Sequence, residues 1–159
     1  MNVFARHRPQ KLRMSCSGFT LIELMVTIAV LAIIVSIAAP SISMQLANQR
    51  VKSTAATLAN ALSEAKAESV IRRQDQAVSY SNGTTESGSI TIGSIKTYRY
   101  DVKSKISGVT GSITFKPSKV ASAAATYTVC DSNARANPRQ VTVSKLAVIS
   151  NQAGGTGTC

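Results

Sequence analysis

The chain has 159 residues, 44% of them apolar, and a net charge of +11 from 18 basic and 7 acidic residues. That length suits one modest domain plus an extra segment, not two full domains. A single histidine (His7) and three scattered cysteines (Cys16, Cys130, Cys159) supply no clustered ligands for a metal and almost no material for histidine-based catalysis, so neither an enzyme nor a cofactor is expected.

The chain opens with four basic residues, Arg6, Arg8, Lys11 and Arg13, and no acid beside them. The apolar run at 21–39 follows, interrupted only by Glu23, Thr27 and Ser36. It is longer than the apolar core of an ordinary secretory signal and close to the roughly 20 residues that cross a bilayer as a helix. The basic leader is expected to stay in the cytoplasm and the chain beyond residue 41 to lie outside. Glu23 is the anomaly. A carboxylate in an apolar helix costs roughly 2.5–3.5 kcal/mol at the bilayer centre and less near its edge. Spacing alone leaves two readings open: Glu23 has a charged partner, or it sits at headgroup level and needs none.

The string Gly18-Phe19-Thr20-Leu21-Ile22-Glu23-Leu24-Met25-Val26 resembles the prepilin signature of type IV pilins and type II secretion pseudopilins. The leader is short and basic, a glycine ends it, Phe follows, and Glu lies four residues after that Phe. The resemblance implies cleavage by the inner-membrane prepilin peptidase between Gly18 and Phe19, N-methylation of the new Phe19 terminus, and retention of the apolar segment. A glycine before the scissile bond lets the chain enter a narrow active site extended. The resemblance also implies a partner for Glu23, the terminal amine of a neighbouring subunit, which rewards docking in register. Cys16 follows Leu12-Arg13-Met14-Ser15, not an apolar run, so lipidation is not expected and Cys16 leaves with the leader.

Pro40 ends the apolar block. Pilin-like helices commonly carry a proline at this distance, so a kink within a continuing helix is expected. Val51, Ala55, Leu58, Leu62 and Ala65 then recur at alternating four and three spacing, one stripe of an amphipathic helix. A helix over about 19–73 is expected. Its final stretch, residues 58–73, is rich in Ser, Glu and Ala and closes on Arg72 and Arg73. It resembles the helix end of the GspH/FimT branch, which groups minor pilins and minor pseudopilins.

From residue 77 the period changes to two. Val78 and Tyr80 alternate with polar residues, Asn82-Gly83 signals a turn, and short strands are expected at 89–92, 98–102, 113–115, 127–130, 141–143 and 146–149. The expected fold is α+β and pilin-like: a long N-terminal helix packed on a small antiparallel sheet. The divisions are a leader at 1–18, a membrane and assembly half of the helix at 19–40, an amphipathic half at 41–74, and a periplasmic β-rich domain at 75–159. The tail from Asn151 to Cys159 reads as flexible. Two cysteines in an exported domain are most simply a disulfide, and many type IV pilins carry such a C-terminal loop, so Cys130 is expected to pair with Cys159.

The surplus of positive charge suits nucleic acid or anionic surfaces, or merely a solvated surface, since the basic residues form no single run. Some FimT-like minor pilins bind DNA through a Gly-Arg-x-Arg element near the C-terminus. The corresponding region here reads Ser144-Lys145-Leu146-Ala147-Val148 and lacks it. Arg135, Arg139 and Lys145 are the remaining candidates for phosphate contact. The resemblance implies a minor type IV pilin of the FimT/FimU kind, in the inner membrane with its C-terminal domain periplasmic and then in the pilus. Its partners would be the prepilin peptidase, other pilins, the inner membrane and, on the DNA-binding reading, DNA. The alternatives are the minor pseudopilin H of a type II secretion system and a DNA receptor for natural transformation.

Overall fold

A computed structural model describes residues 18–154. Helix α1 spans Leu21–Arg72 and carries Pro40 in its interior. Eight strands follow: β1 Gln76–Ser81, β2 Gly88–Ile92, β3 Lys96–Tyr100, β4 Ser104–Ser107, β5 Ser112–Phe115, β6 Ala125–Asp131, β7 Arg139–Val143 and β8 Ile149–Ala153. The chain divides between Ala38 and Ala39 into two units.

In the first unit the helix is exposed along its apolar run and is long and apolar enough to cross a membrane by length and composition. Its hydroxyls are satisfied within the helix itself. Thr27 donates to the Leu24 carbonyl at 2.8 Å and Ser36 to the Ile33 carbonyl at 2.7 Å. Neither therefore needs water or a neighbour to balance its polar group.

In the second unit the stripe of Val51, Ala55, Leu58, Leu62 and Ala65 is buried. The same face adds Ala47, Thr54, Ala61 and Ser69, so it is made mostly of small side chains. Small residues let the helix axis approach the strands closely, and the larger Phe115, Ile90, Ile92, Ile106, Val129, Val141 and Val143 fill the space from the sheet side. Leu58 and Leu62, fully buried, each contribute about 2 kcal/mol. The helix ends on Arg73 in the left-handed region (φ 53°), with the Gln74 amide donating to the Ser69 carbonyl at 3.2 Å. This is the hydrogen bond of a Schellman cap, built here without glycine.

The strands do not form the single small sheet expected from sequence. They form two four-stranded antiparallel sheets, ordered β3-β2-β1-β5 and β4-β6-β7-β8. Asn82 and two tyrosines join them. Asn82, just past β1, donates from Nδ2 to the Ile106 carbonyl at 2.8 Å, and its Oδ1 accepts from the Ile106 amide at 2.8 Å. The Tyr100 hydroxyl donates to the same Oδ1 at 2.8 Å. Tyr80 of the first sheet meets Tyr127 of the second edge to face, 6.0 Å between ring centroids. Burial pushes the Tyr100 and Tyr127 hydroxyls up to about 12.

Other expectations need correction. Residues 104–107 form a strand that one buried isoleucine, Ile106, did not announce. Residues 98–102 form strand only as far as Tyr100. Residues 146–148 are not strand: they lie in the loop between β7 and β8, where Ala147 adopts φ 53°. Asn151 to Ala153, read as tail, pair with β7.

Candidate processing and assembly site

Gly18, Phe19 and Thr20 precede the helix, have no regular structure and are exposed. Nothing lies within 4 Å of a side chain added at Gly18. The Gly18–Phe19 peptide bond therefore precedes the helix, with both residues exposed. The leader up to Ser17, with His7 and Cys16, lies outside the described residues.

Thr20 starts the helix. Its Oγ1 accepts from the Glu23 amide at 3.3 Å, and its carbonyl accepts from Leu24 at 3.2 Å. Thr20 is thus the N-cap and Glu23 the third helical residue, the two key positions of a capping box. The sequence carries the matching signal, Thr-x-x-Glu before an apolar run, within the same string as the methylation motif. It adds a reason for Glu23: a carboxylate in the first turn complements the positive end of the helix dipole. Pro40 stands inside the helix, and Ser43 donates to its carbonyl at 2.9 Å.

The three candidate phosphate contacts do not converge. Arg135 is exposed in the loop between β6 and β7. Arg139, at the start of β7, is half-buried and donates from Nε to Asn151 Oδ1 at 3.0 Å. Both belong to the end of the domain where the Asn137 amide donates to Asn48 Oδ1 at 2.7 Å. Lys145 lies at the other end of the β7–β8 hairpin, beside Ala147, whose carbonyl accepts from Lys66 Nζ at 2.8 Å. The helix rises about 27 Å between those two levels, at residues 48 and 66.

Cys130 sits on β6, half-buried, at the same end as Arg139. Its expected partner, Cys159, lies outside the described residues.

Arg50 and Glu64 tie the helix to the sheets through charged side chains. Arg50 grips Asp131 at the end of β6. Glu64 accepts from the Tyr98 hydroxyl and lies 3.4 Å from Lys96 Nζ. The Tyr98 hydrogen bond, then Lys96, hold the Glu64 carboxyl below its ordinary value.

Residues 13–39 match the prokaryotic N-terminal methylation motif. No curated protein sequence matches the chain. Among solved structures, two crystal forms of the type IV minor pilin FimU from Pseudomonas aeruginosa are similar, each with a TM-score of 0.53. One is 17% identical and the alignment covers 64% of this chain and 91% of that one; the other is 15% identical, covering 64% and 87%. The motif spans the Gly18–Phe19 bond and the apolar run, and the fold is like that of the minor pilin FimU. The chain is type IV pilin-like, joining an N-terminal methylation motif to a long apolar helix and a FimU-like arrangement of helix and antiparallel sheets.

Proposed function

We propose that the protein is a minor type IV pilin, cut between Gly18 and Phe19 by a prepilin peptidase, methylated at Phe19, and built by its apolar helix into the pilus or the complex that primes it. In this reading the chain starts as a single-pass inner-membrane protein with its leader cytoplasmic and its β-domain periplasmic. It then joins other pilins, with Glu23 facing a neighbour's terminal amine. The single observation that carries the proposal is the accessible Gly18–Phe19 bond immediately before a Thr20-capped, membrane-length helix. The likeness to FimU and the Cys130/Cys159 pair favour a pilus over the pseudopilus of a type II secretion system, which the same motif and helix would serve.

The test is made on sheared, purified filaments from cells carrying the tagged full chain. The expected result is a mature chain beginning with N-methyl-Phe19 in the pilus fraction. Processed chain found only with a secretion complex would replace this reading with the pseudopilin one.

The excess of positive charge supports a lesser reading, a DNA receptor. It predicts a gel shift at low salt that weakens steeply as salt rises and is reduced when Arg135 and Arg139 are replaced. Binding that is absent or indifferent to salt would end it.

A further inference from the structure

Beyond Leu46, the large apolar side chains that stand exposed are Ile71 (73%), Leu146 (73%) and Val148 (61%). All three belong to the end of the domain where α1 terminates. A groove of about 480 Å³ lies on the same surface, lined by Ser63, Lys66, Ala67, Val70, Ile71 and Lys119. Lys66 links the groove to the β7–β8 loop through its hydrogen bond to the Ala147 carbonyl.

The loop is built to hold its apolar residues outward. Ser144 accepts the Val148 amide on its hydroxyl at 3.1 Å and the Ala147 amide on its carbonyl at 2.9 Å, and its own amide donates to Val148 at 3.0 Å. Ala147 is buried in the left-handed region at a cost of about 1–2 kcal/mol. Ala147 turns inward while Leu146 and Val148 on either side remain in solvent. A loop that spends strain to expose leucine and valine in fixed positions has little ordering entropy left to lose on binding.

The charges around this surface are one-sided. Arg73, Lys116, Lys119 and Lys145 make no side-chain hydrogen bond or ion pair among the described residues. Ser69 and Ala121 bond the Lys116 and Lys145 carbonyls respectively, which ties both segments to this end. Of the two acids at the helix exit, Glu68 is already held by Arg72 at 2.6 Å, which leaves Asp75 against four basic residues in the charge count of this end. A second copy of the chain docking by the same face would set cation against cation.

We propose that this end face docks another protein through an acidic segment with apolar side chains, the apolar groups packing on Ile71, Leu146 and Val148 and into the groove, the carboxylates meeting Arg73, Lys119 and Lys145. The surface stands at the opposite end of the domain from Asn48 and Arg50. It holds whether the filament belongs to a pilus or to a secretion system.

A photo-crosslinking residue placed at Leu146 of the full chain in its own cells tests this, with Thr85 in the exposed β1–β2 loop as the control position. The expected result is a discrete adduct with one other protein, mapped to a peptide bearing Asp or Glu beside apolar residues. Lys119→Glu with Lys145→Glu should lower that adduct about fivefold or more at unchanged chain level. A crosslinker at Val148 should lose the same adduct on Leu146→Ser, a change at an exposed site that leaves the fold intact. Labelling no stronger than at Thr85, an adduct with a second copy, a nuclease-sensitive adduct, or an adduct indifferent to the charge reversal would each overturn the proposal.

Discussion

Arg50 holds Asp131 with two parallel hydrogen bonds, Nε to Oδ2 at 2.8 Å and Nη2 to Oδ1 at 3.0 Å. The Asp131 side chain is completely buried and that of Arg50 is 24% exposed. Burial alone would push the carboxyl up, but the Arg50 hydrogen bond, the Asn133 amide and the nearby guanidinium charge hold it below its ordinary value of 3.8. The stability from this pair is therefore fully present above pH 3.8 and is lost as the pH falls through the lower folded-state value. Arg50→Ala leaves a buried carboxylate alone and should cost about 3 kcal/mol. Urea titrations between neutral and acid pH check both points: the wild type loses stability in acid, and the variant, already deprived of the pair, loses less.

Asn82→Ala removes both hydrogen bonds to Ile106 and the nearer acceptor of the Tyr100 hydroxyl, which keeps the Ser81 carbonyl at 3.1 Å. The buried partners left unmatched should cost about 2–4 kcal/mol. Thermal melts should show a lower midpoint, with the near-ultraviolet tyrosine signal lost first as Tyr80 and Tyr127 part.

Gly88→Ala would drive a Cβ into the Tyr100 ring, whose hydroxyl is tied to Asn82. Overpacking of this kind costs about 1–3 kcal/mol. The expected loss in a denaturant midpoint should disappear in the double variant with Tyr100→Ala, because the clashing ring is gone.

Cys130 and Cys159 should be found two hydrogens short by non-reducing mass analysis. Register places Val129, Arg139 and Ala153 side by side across β6, β7 and β8, about 10 Å from first to last. The five residues after Gly154 can extend about 17 Å, enough to return to Cys130. Reduction should cost about 3–4 kcal/mol. Two alkylatable thiols in the folded exported domain would refute the bridge.

Thr20→Ala should fray the first helical turn at a cost of about 1 kcal/mol, read by amide exchange in detergent, without blocking processing. Glu23→Gln should be processed and inserted normally yet fail to enter filaments, read as mature chain in the membrane and none in the sheared fraction. Gly18→Ala should leave the precursor uncut.

The helix was legible because two independent signals agreed on it: an apolar run of membrane length, then a stripe from Val51 to Ala65 at helical spacing. The strands were legible where β-branched or aromatic residues alternated, as at Val78 and Tyr80. Ser104-Lys105-Ile106-Ser107 escaped because one apolar residue sets no period. The stretch at 146–148 misled because Leu, Ala and Val beside Ile149 suit a strand, whereas the hydrogen bonds to Ser144 and Lys66 make it a loop. Asn151 to Ala153 looked like tail because their side chains are polar, but a ladder is made by the backbone. The methylation motif was readable from local chemistry alone; the end face was not, since Ile71 and Lys119 come to line one groove only after the chain has folded.

The proposed cut falls on the far side of Thr20 from the helix. Every hydrogen bond of the first turn survives it, and the mature helix inherits its cap unaltered. Maturation is then almost silent for the fold and loud for its electrostatics. A neutral peptide link becomes a cation one residue before the cap, against a helix end that already carries partial positive charge. A subunit in that state holds an unbalanced charge at its tip, which the carboxylate of Glu23 in an adjoining helix can discharge. Cleavage would arm the chain for assembly without reshaping it.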